Sequence, residues 1–225
     1  MKRSHLLLSA CCLTVIAAGV AIGQPGKDKA PAMPEMTPEQ MKCMEAMQEA
    51  ATPGPMHEWL AKGIGTWDGT IKMWESPDSA EAHESPCSSV VTSMMDGRFI
   101  KDEVSSTMMG MPFQGFGIYG YNNTTQQFEA NWIDNMGTMQ MRMTGKLAAD
   151  HKSMTWTSRF MCPVQKKEVG MREVQTWTGP DSIRLEMYGP DMSGKVAEYK
   201  MMEINMTRKA GSAPKAAMPI KKMGH

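Results

Sequence analysis

The sequence predicts an all-β protein: an antiparallel up-and-down β-barrel of about ten strands, preceded by a short N-terminal helix. Short segments between residues 66 and 208 alternate apolar and polar side chains, which is the period of a half-buried strand. Clusters of Asn, Asp, Gly and Pro separate most of these segments, and no helical period interrupts them. Each segment has one apolar side, as expected for a sheet that closes around its own interior.

Residues 1–23 are typical of a secretory signal peptide. Lys2 and Arg3 give a positive start, Leu6 to Val20 form an apolar run, and Ala21-Ile22-Gly23 is a small-x-small cleavage site. We therefore expect an exported protein, periplasmic or secreted, that begins at the residue after this site.

A lipoprotein box, Leu8-Ser9-Ala10-Cys11, lies within the same segment. Few apolar residues precede it and the apolar run continues well past it, so cleavage near Gly23 is favoured over lipidation. No later apolar run approaches the roughly 20 residues that cross a bilayer, and we expect no membrane span.

The leader, residues 24–55, is rich in Met and is predicted to be flexible around one short helix. Thr37 can cap this helix, Pro38 suits its first turn and Gln40 completes a capping box. Pro53-Gly54-Pro55 ends the helix.

The barrel domain is predicted over residues 56–209, followed by a low-complexity tail over 210–225. Turn signals such as Asp96-Gly97 and Asn122-Asn123 divide the domain. The predicted strands are 66–74, 87–95, 98–108, 113–121, 126–134, 137–146, 153–162, 171–178, 183–189 and 196–208.

The first and last strands supply the argument for closure. Trp67, Ile71 and Met73 share one face of the first strand, and Arg208 shares a face with apolar residues of the last. An even number of antiparallel strands places these two strands side by side, so Trp67 and Arg208 meet at the same rim. A guanidinium stacked on an indole contributes about 0.5–2 kcal/mol, and we assign both residues to structural closure of the barrel.

Gly65-Thr66-Trp67, together with Arg208 at the end of the last strand, is similar to the signature of the calycin superfamily, which includes the lipocalins. More closely, the chain resembles the uncharacterised bacterial domain-of-unknown-function 1579 family. The resemblance implies a calycin barrel, and the family brings no established catalytic residues. The matching stretches are Met95-Asp96-Gly97-Arg98-Phe99-Ile100, Gly110-Met111-Pro112-Phe113-Gln114-Gly115-Phe116-Gly117, Gly120-Tyr121-Asn122-Asn123, Trp132-Ile133-Asp134, Gly137-Thr138, Arg172-Glu173-Val174, Glu186-Met187-Tyr188 and Thr207-Arg208-Lys209.

The amino-acid composition limits the classes of function that the protein can have. The chain has 24 basic and 24 acidic residues, which argues against a nucleic-acid surface. Of its 225 residues 27 are Met, an excess that needs an explanation. Most of these methionines lie at strand positions where Leu, Ile or Val would ordinarily serve, which predicts a soft and adaptable interior wall.

We therefore predict that the barrel binds a small apolar or amphipathic molecule non-covalently, without a cofactor, and leave the oligomeric state open. The predicted wall and its polar groups are Met73, Arg98, Tyr119, Phe128, Trp132, Asp134, Met139, Met141, Met143, Met202 and Met206.

Two alternatives remain open. A copper-handling protein would use the soft donors of the leader helix, Met41, Cys43, Met44 and Met47. An enzyme would use Asp134 or Glu173 as an acid or base in the barrel cavity, although no catalytic motif is found.

The cysteines that remain after the signal segment are Cys43, Cys87 and Cys162, which permit one bridge whose pairing is left open. Gly115-Phe116-Gly117-Ile118-Tyr119-Gly120 matches the dinucleotide fingerprint. Turn residues follow it where that motif needs a helix, so we expect these glycines to relieve crowding in a strand.

Overall fold

The computed structural model of the protein describes residues 36–213. They form two helices, α1 (Pro38–Ala51) and α2 (Pro55–Ala61), followed by ten strands. No helix among the described residues is long and apolar enough to cross a membrane. The predicted signal segment, residues 24–35 of the leader and residues 214–225 of the C-terminal tail lie outside the described residues.

All ten strands form one closed barrel, in which every neighbouring pair is antiparallel and β1 pairs with both β2 and β10. The predicted fold class is therefore confirmed. The strands are β1 (Gly65–Met73), β2 (His83–Met94), β3 (Phe99–Met108), β4 (Met111–Asn122), β5 (Gln127–Asp134), β6 (Met141–Leu147), β7 (Ser153–Met161), β8 (Glu168–Gly179), β9 (Ser182–Gly189) and β10 (Tyr199–Arg208).

The largest early starts are those of β2, at His83 rather than residue 87, and of β8, at Glu168 rather than residue 171, because exposed ion pairs extend these strands beyond their apolar alternation. Glu84 at the start of β2 lies 2.9 Å from Lys72 on β1. Glu168 at the start of β8 lies 2.8 Å from Arg159 on β7. Cross-strand pairs of opposite charge stabilise a ladder at positions where the hydropathy pattern carries no strand signal.

The predicted leader helix is present as α1, with Thr37 as its cap and the capping box to Gln40 formed. None of its residues is buried. Its C-terminal carbonyls hold it to the barrel, because the Asn123 side chain donates to the carbonyls of Glu49, Ala50 and Thr52.

α2 covers the end of the barrel at which β1 begins, which we call the helix end. Trp59 and Leu60 are buried there against Phe128 and Trp156 of the barrel interior. The Trp59 indole donates to the carbonyl of His151 in the β6–β7 turn at 2.9 Å, which fixes α2 over the opening. The sequence analysis did not predict this helix as a separate element.

The predicted contact between Trp67 and Arg208 closes the same end. The two residues are partners in the β1–β10 register, and the guanidinium carbon lies 4.1 Å from the centre of the indole ring. Arg208 also donates to Asp181 at 2.9 Å, to the carbonyl of Lys62 at 2.7 Å and to the carbonyl of Ile64. Its side chain, which is only 5% exposed, thereby ties β10 to the segment between α2 and β1.

The interior has two chemically different halves. Beneath α2 the buried core contains large aromatic residues, Trp67, Phe128 and Trp156 among them, together with aliphatic residues and with Met143 and Met154. The other half, towards what we call the loop end, is built around Ile71, Cys87 and Met202. Partly buried methionines complete this methionine half: Met73, Met108, Met187, Met201 and Met206.

Candidate functional site

A cavity of about 80 Å³ lies inside the barrel beneath α2. Trp59 and Leu60 of α2 form part of its boundary. The barrel supplies an aromatic and aliphatic wall. It also supplies a group of polar residues that are far apart in the sequence. These polar residues are Ser89, Asp102, Tyr119, Glu173 and Gln175.

Strand register explains why these polar residues meet. Asp102 on β3 pairs with Val91 and Gly117, and Glu173 on β8 pairs with Trp156, so each side chain belongs to the inward face of its strand. Gly117 leaves room beside Asp102, since a side chain there would collide with the Tyr119 ring. This observation agrees with the expectation that the glycines of β4 relieve crowding.

The two carboxyl groups experience the low polarity of the interior. Burial raises the pKa of Asp102 to about 6, although the Ser89 hydroxyl, which donates to it at 2.5 Å, opposes the shift. Burial, with the charge of Asp102 as a second cause, raises the pKa of Glu173 to about 7. Burial and both carboxylates also raise the pKa of Tyr119 well above its usual value.

Hydrogen-bond donors in the same region are left without partners. The indole nitrogens of Trp156 and Trp177 and the hydroxyl of Ser158 are buried and bond to no other described residue. Both tryptophans line the cavity. Because an unsatisfied buried donor costs about 1–3 kcal/mol, these groups are suited to an acceptor supplied by water or by a ligand.

The raised pKa of Glu173 predicts an unusual pH dependence of stability. Between its ordinary value of 4.5 and about 7, the unfolded chain has released this proton while the folded chain retains it. The contribution of Glu173 to the free energy of unfolding is therefore fully present below about pH 4.5 and is lost as the pH rises through 7, by about 3 kcal/mol at roughly 1.4 kcal/mol per unit. Urea unfolding at about pH 5 and pH 8 should show most of this loss in the wild type, together with a smaller loss in the same direction from Asp102, and only the Asp102 part should remain in Glu173→Gln.

The control for this prediction is Glu103→Gln. Glu103 lies beside Asp102 on β3 but belongs to the outer face and pairs with Lys101 at 2.7 Å. Its charge is the smallest of the causes that act on the pKa of Asp102 and is not among those that act on Glu173, so the variant should keep nearly all of the wild-type pH dependence. His57, whose pKa burial lowers, acts in the opposite direction below about pH 6.5 and cancels because every variant retains it. Equal pH dependence in the wild type and Glu173→Gln would contradict the prediction.

The structure places eight of the eleven predicted wall residues in or around the barrel interior, in three groups. Of these residues, only Tyr119 and Met206 line the cavity itself. Three others are buried in the interior, namely Phe128, Met143 and Met202. The partly buried ones pack around the interior clusters, and they are Met73, Trp132 and Met141. A binding role for these residues stays a prediction.

Three of the predicted wall residues lie elsewhere. Met139 is 44% exposed in the loop before β6, because the turn that begins at Asn135 continues to residue 140 and delays the strand. Arg98 precedes β3, and its guanidinium donates to the carbonyls of Ala51 and Met95 outside the barrel.

Asp134, the third of these residues, ends β5 at the loop end. Its carboxylate accepts from the Trp132 indole at 3.0 Å and from the backbone of Met136 at 3.0 Å, so it organises the turn there. Of the two acid–base candidates, Glu173 lies in the cavity and Asp134 does not. A catalytic role stays a prediction.

Sequence reasoning missed Asp102, although the signal for it was present. Arg98, Ile100 and Asp102 have the same parity, and the face that selected Arg98 also contains Asp102. Trp156, Gln175 and Trp177 were missed for a different reason: every strand offers an inward face, and the pattern does not show which positions meet at one level of the barrel.

The leader cluster is exposed on α1. Met41, Met44 and Met47 are 45%, 54% and 58% exposed, and Cys43 is exposed with a free thiol. A copper site there stays a prediction. Cys87 and Cys162 are buried and also free in the structure, so no bridge joins the three cysteines.

These features define a class: a closed ten-stranded antiparallel barrel, covered at one end by a helix, whose interior holds two carboxyl groups and a small cavity. Residues 52–208 match the family described as "Protein of unknown function (DUF1579)". The chain belongs to this family, in agreement with the resemblance seen in the sequence.

A solved structure supports the fold. The chain is similar to the protein titled "Crystal Structure of Rv2717c from M. tuberculosis", with 14% sequence identity and a TM-score of 0.52. The match covers 69% of this chain and 98% of that one. At this level of identity the likeness concerns the fold alone. The comparison with curated proteins finds no match.

Proposed function

We propose that this is an exported binding protein, without catalytic activity, that holds a small amphipathic molecule inside its barrel. The polar end of the ligand lies in the cavity beneath α2, and its apolar part lies among the methionines of the other half. The observation that carries this proposal is the meeting of Asp102 and Glu173 at a cavity whose tryptophan walls include two unpartnered indole donors. A fold maintained for stability alone gains nothing from such groups, since each costs free energy when buried.

The cavity sets the size of the ligand. About 80 Å³ accommodates a few water molecules or the end of a ligand, whereas pockets for drug-sized molecules measure roughly 300–1,000 Å³. A longer ligand therefore has to displace side chains of the methionine half. Methionine is suited to this role, because its unbranched thioether chain adopts many shapes at low cost.

Native mass spectrometry of the exported protein, purified without detergent, tests the proposal. We expect a non-covalent adduct that is lost at higher collision energy, while the denatured mass gives the chain alone. Leu185→Trp should remove the adduct, because Leu185 lines the cavity and a larger side chain fills it.

Val90→Trp is the matched control. Val90 precedes the inward-facing Val91 on β2 and is 41% exposed on the outer face, so the same indole is added outside the barrel and the adduct should persist. A bare mass for the wild type, with no change in tryptophan fluorescence on titration with short-chain amines, alcohols and acids, would overturn the proposal.

A further inference from the structure

We propose that the ligand of the barrel carries a positively charged ammonium group, which is held between the carboxyl groups of Asp102 and Glu173. This inference rests on the proposed function and specifies its chemistry. Three observations lead to it: the distribution of charge on the inward face, the aromatic walls of the cavity, and the absence of a protein cation beside the two acids in the described part of the chain.

The inward face of the ten strands is strongly biased in charge. Asp102 and Glu173 lie on it at the cavity, while the strand lysines pair from the outer face, as Lys72, Lys101 and Lys200 do. The register gives Arg208 as the one inward-facing arginine or lysine among the described strands. The described strands therefore place no lysine or free arginine beside the two acids, and a ligand with an ammonium group would supply the missing cation.

Arg208 is not available for this purpose. Its guanidinium is occupied at the helix end by Asp181 and by the carbonyls of Lys62 and Ile64, and it stacks on Trp67. It does not line the cavity. Each of its nitrogen atoms already donates a hydrogen bond, so turning towards Glu173 would leave buried carbonyls unpaired.

Aromatic rings surround the acids. Tyr119 and Trp156 pack edge to face with ring centres 5.4 Å apart, and Trp67 and Trp177 do so at 5.9 Å. All four residues line the cavity. The faces of aromatic rings attract cations, with a benefit of about 2 kcal/mol where water is excluded. Carboxylates framed by aromatic rings thus provide both kinds of group that recognise ammonium ions.

An ammonium ligand would also stabilise the ionised forms of the two buried carboxyl groups. The other polar side chains that line the cavity are those of Ser89, Gln175 and Tyr119, none of which is cationic. Burial raises the pKa of Asp102 to about 6 and that of Glu173 to about 7, so both carboxyl groups are largely protonated at about pH 5 and ionise as the pH rises through these values. A bound cation stabilises the ionised forms, so binding should release protons and should strengthen as the pH rises from about 5 to 8.

The test compares three ligands of nearly equal size: hexylammonium, 1-hexanol and hexanoate. Tryptophan fluorescence of the exported, full-length mature protein at about pH 8 reports binding, because four tryptophans line the cavity. We expect hexylammonium to bind at least tenfold more tightly than 1-hexanol, and hexanoate to bind most weakly. Affinity for hexylammonium should fall at about pH 5, and affinity for 1-hexanol should not.

Glu173→Gln and Asp102→Asn should each reduce the affinity for hexylammonium about tenfold and leave that for 1-hexanol nearly unchanged. Glu103→Gln, on the outer face of β3, should bind as the wild type does. If 1-hexanol or hexanoate binds as tightly as hexylammonium, the ammonium proposal is overturned while the proposed binding function stands. If none of the three binds, the ammonium proposal fails, and the native mass of the wild type decides separately whether the proposed binding function stands.

Discussion

Replacement of Arg208 by methionine is expected to lower the free energy of unfolding by about 3–5 kcal/mol, since the buried guanidinium is the hydrogen-bond donor to two backbone carbonyls, whereas its charged partner Asp181 is largely exposed and stays solvated. Methionine retains much of the aliphatic volume of arginine but none of its donors. The carbonyls of Lys62 and Ile64 then lose their partner, at about 1–3 kcal/mol for each buried group. The stacking on Trp67 is lost as well.

Urea denaturation followed by tryptophan fluorescence measures this effect. Arg208→Lys should recover only part of the loss, because an ammonium can keep the ion pair with Asp181 but cannot reach both carbonyls in the geometry of a guanidinium fork. Arg184→Met is the matched control, since Arg184 is 44% exposed and lies 3.9 Å from Glu186 on the same strand. An Arg208→Met midpoint equal to that of Arg184→Met would show that the barrel does not depend on this closure.

The contact between Trp67 and Arg208 could be predicted because it depends only on strand count and parity. With an even number of antiparallel strands, the first and last strands of a closed sheet must pair antiparallel to each other. The alternation of Ile71 and Met73 places Trp67 on the same inward face as these two residues. α2 could not be predicted in this way. Its seven residues are too short for a helical period, and its position is set by tertiary contacts such as the bond from Trp59 to His151.

The candidate site shows where parity ceases to be sufficient. Arg98 and Asp102 have the same parity, yet Arg98 bonds to the carbonyl of Ala51 outside the barrel, whereas Asp102 lies at the cavity. Parity determines a direction only for residues inside a strand, and β3 begins after Arg98 at Phe99. The same reason explains Met139, which precedes β6.

The size of the interior cavity could not be predicted from the sequence either. The methionine stripes predicted an open, soft wall, but the structure separates the two properties: aromatic, aliphatic and polar residues line the cavity, with Met206 as the one methionine among them, and the other methionines of this cluster pack beside it. Only the volumes of side chains that approach from several strands and from α2 determine how much space remains. The methionines therefore form a deformable region between the loop end and the carboxyl groups of Asp102 and Glu173.

Trp156→Ala should reveal whether a ligand can pass the methionine half and reach the cavity. Trp156 is 2% exposed and packs against Phe128 and Tyr119, so its truncation should lower the free energy of unfolding by about 3–5 kcal/mol. The space left is continuous with the existing cavity, because Trp156 lines it. Indole matches the missing side chain, and at a concentration of about 100 times its dissociation constant it should restore roughly 2.7 kcal/mol.

Thermal denaturation with and without indole gives the measurement, and Trp74→Ala gives the control. Trp74 is half-buried outside the cavity, with the Lys200 ammonium 5.1 Å from its ring, so its loss opens no enclosed space for indole. Addition of indole to the folded Trp156→Ala protein should raise its melting temperature several degrees more than it raises that of Trp74→Ala. Stabilisation only when indole is present during refolding would show that the methionines do not admit a ligand. The interior would then be a closed core rather than a binding site.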